Sequence, residues 1–286
     1  MSEYTTVSPI NTPETPMSWP RTAFRLPVVL LVFGAATARA QTDGASRFLD
    51  HCKRYGGDRE QFCETRDLSL PASRSLTVDG GENGGVAVQA WDRNEIKVTV
   101  LIQAWAESVG EAERLAKQVT VTTSAGHVRA TGPSRRDRNE SWSVSYEIWT
   151  PRHIDLSLTA SNGGISVDDV DGRLDLETVN GGVHLRRVAG DVRGRTANGG
   201  VTAELSGSSW SGAGLDLQTT NGGVRLALPR DYSAQLELGT VNGSLDIGFP
   251  ITVHGSLKRR VTTTLGHGGP TIRAVTTNGG VQISER

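Results

Sequence analysis

The chain has 286 residues, 36% of them hydrophobic, with 30 basic and 31 acidic side chains for a net charge of −1. That length is enough for one or two domains with a core of ordinary size. Such a balance implies neither a nucleic-acid partner nor an anionic membrane surface, and removing residues 1–40 still leaves 27 basic against 29 acidic residues. The outlier is glycine, with 34 copies gathered at recurring turns, which predicts frequent use of positive φ.

Residues 1–40 read as an export signal. Arg21 and Arg25 precede an apolar run from Leu26 to Ala36, and Ala38-Arg39-Ala40 offers a small-residue cleavage site before Gln41. The run is broken by Pro27 and is well short of the roughly 20 residues that span a bilayer. Retention in the inner membrane through an uncleaved signal is the alternative. No basic residue precedes Met17, so Met17 competes with Met1 as the start.

A polar segment, 41–73, carries the only two cysteines, Cys52 and Cys63. In an oxidising compartment they predict a local disulfide contributing about 2–3 kcal/mol. With only His51 nearby, they fall short of a four-ligand metal site.

Residues 74–150 read as a β-rich cap. Alternating runs at Leu76–Val78, Val86–Trp91 and Glu95–Trp105 predict strands, Ala106–Val119 predicts one short helix, and strands resume at Thr120–Thr123 and Gly126–Thr131. Arg135, Arg136, Asp137 and Arg138 beside Pro133 read as a solvated loop. Trp142, Tyr146 and Trp149, alternating with Val144 and Ile148, read as a large-residue cap over the open end of the repeats, with a carbohydrate-binding strip as the alternative.

From 151 to 286 one phrase recurs, Thr-x-Asn-Gly-Gly-Val or a near variant. Its asparagines are Asn162, Asn180, Asn198, Asn221, Asn242 and Asn278, with an outlying copy at Asn83. Six, four and two residues before each asparagine stand inward-facing types such as Leu174, Leu176 and Thr178; three and five residues after it come pairs such as Val183 and Leu185. Both runs have the strand period of two. Repeats this short bury their apolar side only against one another.

Two architectures fit: a meander with Asn-Gly hairpins, or an all-β single-stranded solenoid, β-helix-like, in which Thr stacks on Thr and Asn on Asn. The second is favoured, because outward positions alternate in charge (Asp175, Arg193, Asp216; Glu177, Arg195) as cross-strand pairs would require, and stacked Asn amides form ladders. The longer interval around Val253 to Gly269 is a decayed coil or an inserted hairpin. Leu76 and Val78 stand one step out of register with Asn83, which predicts a separate sheet or a bulge.

At these residues the chain resembles the bacterial putative-adhesin family of exported domains. The resemblance covers Cys63-Glu64-Thr65-Arg66, Asn83-Gly84-Gly85-Val86, Trp91-Asp92-Arg93, Trp142-Ser143-Val144-Ser145-Tyr146-Glu147-Ile148 and the later repeats. It implies a β-solenoid outside the inner membrane and brings no catalytic residues.

Chemistry is sparse. Asp168, Asp169 and Asp171 could form an acid/base or calcium cluster, but a Val-Asp-Gly turn accounts for them. The six histidines, including His267 in Gly266-His267-Gly268-Gly269, lack metal spacing. No catalytic, cofactor or metal residues are assigned. The sequence thus predicts a non-enzymatic exported protein of the periplasm or cell surface that presents a surface to an envelope protein or glycan. It predicts no nucleic-acid partner and membrane contact only through the export signal. An envelope-stress regulatory component and a polysaccharide-degrading enzyme are the alternatives.

Overall fold

A computed structural model describes residues 44–52, 59–134, 139–248 and 259–286. The export signal, both candidate starts, Arg135–Arg138 and residues 253–258 of the questioned interval lie outside the described residues. The fold is all-β with two open ten-stranded sheets. Among the described residues no helix is long and apolar enough to cross a membrane.

The chain begins with helix α1 (44–52) and strands β1 (Glu60–Pro71), β2 (Ser75–Asp79), β3 (Val86–Trp91) and β4 (Glu95–Ala106). Helix α2 (Val109–Lys117) and strands β5 (Thr120–Ser124), β6 (His127–Thr131) and β7 (Ser141–Pro151) follow. One short helix was expected, and α1 is a second; Phe48, Leu49 and Cys52 recur at helical spacing inside a segment that reads as merely polar. Strand β1 is also new. It is an edge strand paired only with β4, so its half-buried Phe62, Leu68 and Leu70 give a weak alternation.

Helix α2 is shorter than the predicted Ala106–Val119 because Ser108 caps it. Its Oγ accepts from the Glu111 N–H at 3.3 Å and donates to Glu111 Oε2 at 3.0 Å, a reciprocal N-terminal cap. The other end is held by Arg66, whose guanidinium donates to the carbonyls of Val119 at 2.6 Å and Ala116 at 3.1 Å. That contact gives the Cys63-Glu64-Thr65-Arg66 stretch a structural role. In the Trp91-Asp92-Arg93 turn, Trp91 Nε1 donates to the Glu95 carbonyl at 2.9 Å and Arg93 lies 4.8 Å over the indole.

The repeats supply paired strands: β8 (Asp155–Asn162) and β9 (Ile165–Asp168), β10 (Asp171–Asn180) and β11 (Val183–Arg186), β12 (Ala189–Asn198) and β13 (Val201–Glu204), β14 (Gly214–Asn221) and β15 (Val224–Leu228), β16 (Ala234–Asn242) and β17 (Leu245–Gly248). Then come β18 (Arg260–Leu265), β19 (Thr271–Asn278) and β20 (Val281–Glu285). Within each repeat the two strands enter different sheets, and the same strand of successive repeats pairs in parallel: β10 with β8 and β12, β11 with β9 and β13. Asn-Gly therefore marks a corner between sheets, and the meander is set aside. Asn180 stands opposite Asn162 and Asn198, and Thr178 opposite Thr196.

The stacking order departs from chain order at one place. The last repeat lies between its two predecessors, β19 between β14 and β16 and β20 between β15 and β17. Strand β18 runs antiparallel to β16 at the end of that sheet. The long interval thus includes an added edge strand, and the surplus of the repeat around Ser206–Gly214 folds so that buried Trp210 donates from Nε1 to the Gly190 carbonyl at 3.0 Å.

The Asn83 copy belongs to the same stack. Leu76 faces Leu156 and Val78 faces Leu158, and the extra residue is absorbed at Gly80-Gly81, where Gly81 takes φ of 69°. Asn162 then donates from its backbone N–H to the Glu82 carbonyl at 2.9 Å. Inward side chains of both sheets, among them Leu156, Leu174, Leu176, Val183, Leu185, Leu217 and Ile272, form one buried core, each contributing on the order of 1.5–3 kcal/mol.

The three aromatic residues of β7 do not share a face. Tyr146 is buried with Val144 and Ile148, whereas Trp149 lies on the outer side, 6.5 Å from Trp91 and under Lys97. Neither a single cap nor a continuous strip is formed.

Candidate functional site

The Asn-Gly-Gly corner is a stacking device, and its residue types follow from that. Buried Thr178 donates from Oγ1 to the Gly163 carbonyl of the coil before it at 2.7 Å; Thr196, Thr219, Thr276 and Thr240 do the same to Gly181, Gly199, Gly222 and Gly279, each at 2.8 Å. On the outer side the asparagine amides run Nδ2 to Oδ1 from coil to coil: Asn180 to Asn162, Asn198 to Asn180, Asn221 to Asn198, Asn278 to Asn221 and Asn242 to Asn278, at 2.8–2.9 Å. Asn162 in turn donates to Asn83 Oδ1 at 3.2 Å. The ladder therefore runs from Asn83 to Asn242, with Asn278 ahead of Asn242.

The first glycine of each corner is there for close approach. A Cβ on Gly181 would lie 2.1 Å from the Gly163 carbonyl oxygen, and one on Gly199 2.0 Å from that of Gly181. A left-handed backbone is expected at these corners; Gly222 and Gly279 take positive φ, of 158° and 153°, whereas Gly163, Gly181 and Gly199 are outside the positive-φ set. The second glycine faces the coil after it: a Cβ on Gly182 would lie 3.2 Å from the Gly200 oxygen. Ser244 replaces it in the last coil of the ladder, where no further corner follows.

At the opposite corner the candidate carboxylates are already engaged. Arg186 grips Asp168 through Nε and Nη2 at 2.8 and 2.7 Å, and Arg187 grips Asp169 at 2.7 and 2.6 Å. The hydrogen bond from Arg187 holds the Asp169 carboxyl below its ordinary range. Asp171 lies 3.4 Å from His153 Nδ1. Among the described residues no group of three or more His, Cys, Asp or Glu side chains is placed to hold a metal ion. Cys52 and Cys63 are joined in a disulfide with 6.3 Å between their Cα atoms.

Two surface sites occupy opposite ends of the ladder. At the Asn83 end, Trp105 and Trp142 are among the residues lining a depression of about 490 Å³ that also takes in Arg59, Asn83, Ser141, Ser143, Ser145 and Asn162; Trp105 pairs with Ser141 and Trp142 with Ala104, so their side chains leave opposite faces of the sheet. Trp142 is fixed by donation from Nε1 to the Pro133 carbonyl at 3.0 Å, and Arg59 lies 6.0 Å over the Trp105 ring. An adjoining depression of about 370 Å³ shares Asn83, Trp142 and Ser143. Sequence reading noticed Trp142 but not Trp105, which comes from a different strand. Beginning three steps away along the ladder, about 14 Å at the usual strand spacing, and reaching to its Asn242 end, a larger groove of about 630 Å³ crosses the outer face of the second sheet. It is lined by Arg195, Arg259, Arg260 and Arg273 among threonines and valines.

A family model described as Toastrack DUF4097 matches residues 68–284. A solved structure of a putative cell adhesion protein from Clostridium sporogenes ATCC 15579 is 13% identical with a TM-score of 0.44, covering 79% of this chain and 100% of that one. A putative adhesin from Bacteroides fragilis NCTC 9343 is 13% identical with a TM-score of 0.38, covering 79% and 97%. A putative lipid binding protein from Parabacteroides distasonis ATCC 8503 is 9% identical with a TM-score of 0.29, covering 77% and 96%. No curated protein matches the chain.

Proposed function

The chain belongs to the Toastrack DUF4097 family, and we propose that it serves as a non-enzymatic binding protein of the cell envelope, a β-solenoid exported by the signal in residues 1–40 that offers a preformed surface to a glycan. The observation that carries this reading is the cleft at the Asn83 end. Its lining combines Trp105, on the same sheet face as Ser141, Ser143 and Ser145, with Trp142 of the neighbouring strand and an amide pair, and saccharides are held by such combinations of apolar ring surface with amides and hydroxyls. Asn162 and Asn83 are positioned by the ladder, so little ordering is left for binding to oppose. Engagement of Asp168 and Asp169 by arginines argues against glycan cleavage, which needs a pair of carboxyl groups free to exchange protons.

The test is tryptophan fluorescence titration of the mature chain with neutral and amino-sugar oligosaccharides. Saturable quenching, lost on Trp142→Ala and Trp105→Ala in proteins that retain the wild-type circular dichroism, is the expected result. Absence of any ligand in the panel, or titration indifferent to both tryptophans, defeats the reading. Release of shorter sugars would move the protein to the enzyme class.

A further inference from the structure

The groove at the far end of the ladder is built from one register row. Strands β12, β14, β19, β16 and β18 lie side by side, and their pairing places Arg195, Gln218, Val275, Gly239 and Arg260 in a single line across the outer face. Side chains shrink from Gln218 to Val275 to Gly239 and return to full length at Arg260. This contour makes the depression, with a guanidinium at each end of its floor. Four strand steps, about 19 Å, separate the two strands that carry those arginines. One flank holds Thr220, Thr277 and the exposed Val241, the other Arg273, and Arg259 stands beside Arg260.

The charges differ in how they are engaged. Arg273 is committed to Asp216 at 2.7 Å, and Gln218 donates to the same carboxylate at 2.8 Å. Arg195, Arg259 and Arg260 have no ion pair among the described residues. Exposed guanidiniums at both ends of a polar trough, with hydroxyls along its side, match a chain that carries oxyanions at intervals. A pyranose unit is about as long as one strand spacing, so several would lie along the row.

We infer that this groove binds an acidic saccharide chain, its carboxylate or phosphate groups held by Arg195 at one end and by Arg259 and Arg260 at the other. The site is separate from the tryptophan cleft and does not depend on it. A flat anionic bilayer fits less well. It would also meet Asp175, Glu177 and Glu237, which are exposed on the same face, whereas a narrow chain in the trough meets the arginines. A nucleic-acid strand would find no aromatic side chain in the lining on which to stack its bases.

The experiment measures binding of the mature chain to two probes, a hexagalacturonate for carboxylates and a phosphodiester-linked sugar oligomer for phosphates. A neutral oligosaccharide, anionic phospholipid vesicles and a single-stranded oligonucleotide are the comparisons. Binding of at least one acidic probe is expected, weakening with salt and falling by about tenfold or more in the double variant Arg195→Gln, Arg260→Gln. Gly239→Leu keeps every charge and fills the floor. A Cβ there meets Val275 Cγ1 at 3.4 Å, and the same loss is expected in a variant that keeps the wild-type circular dichroism and melting temperature. Trp142→Ala should leave this binding unchanged. The inference is overturned if neither acidic probe binds, if the neutral sugar binds equally, if both groove variants retain affinity, or if only vesicles or the oligonucleotide bind.

Discussion

Alanine at Gly181 should cost far more than alanine at Gly182, although the two are neighbours in one turn. A Cβ at Gly181 would stand 2.1 Å from the Gly163 oxygen and 2.5 Å from its carbonyl carbon. Carbon and carbonyl oxygen approach no closer than about 3.3 Å without strain, so the coils must part by about 1 Å. That displacement carries the Thr178 and Asn180 hydrogen bonds, now 2.7 and 2.8 Å, beyond useful length. Overpacking of about 1–3 kcal/mol and two bonds of about 1 kcal/mol each, less about 0.5 kcal/mol from the stiffer unfolded chain, leave a loss of roughly 2.5–4.5 kcal/mol. For a chain of this size the melting temperature should fall by roughly 5–18 °C. At Gly182 the contacts are the Gly200 oxygen at 3.2 Å and the movable His184 ring at 2.9 Å, and the loss should stay below about 1.5 kcal/mol. Thermal and urea unfolding of both variants decide the matter. Gly181→Ala within about 0.5 kcal/mol of wild type, or no worse than Gly182→Ala, refutes the close-approach account.

Asn198 both donates to Asn180 and accepts from Asn221, so Asn198→Ala should lose about 1–2 kcal/mol in urea unfolding, more than Asn242→Ala, which removes a single rung. The depressed carboxyl of Asp169 contributes stability that is present above its unfolded pKa and is lost as pH falls through the lower folded value. Asp169→Asn, tolerated at φ of 62°, should therefore flatten the stability profile in the acid range below about pH 4, measured by urea midpoints. Cys52→Ser with Cys63→Ser should cost about 2–3 kcal/mol, with wild type falling to the same midpoint under reductant. Deleting 271–286 removes an interior layer rather than an end, so hydrogen exchange should speed up in β14, β15, β16 and β17 together; protection lost only beside the cut would contradict the stacking order.

Most of the stack was legible because its side chains report a lattice. A period of two before and after each asparagine defines inward faces, and Thr, Asn and Gly at fixed offsets define a corner that the hydrogen bonds then explain. What sequence could not show was Trp105 joining Trp142, since two strands must pair before those residues line one cleft. Helix α1 and strand β1 were missed for a different reason. A lone short helix and an edge strand are each only partly buried, and partial burial leaves a faint pattern.

The displaced last repeat is the instructive case, because its signal was present in the charges. Read in chain order, the position five before each asparagine runs Asp175, Arg193, Asp216, Glu237, Arg273, which sets Asp216 against Glu237. Read in stacking order it runs Asp175, Arg193, Asp216, Arg273, Glu237, with signs alternating throughout. Not every neighbour closes into an ion pair: Arg273 reaches Asp216 at 2.7 Å, while Arg193 turns to Asp191 at 3.5 Å within its own strand. Exposed pairs contribute little stability singly, so the alternation acts mainly against the wrong order, where like charges would meet on adjacent strands. The same permutation builds the groove. With the last repeat in its sequential place, Gln218 would lie beside Gly239, and Val275 would no longer separate them. The row from Arg195 to Arg260 and the order of the coils therefore have one cause, and evidence against either weakens the other.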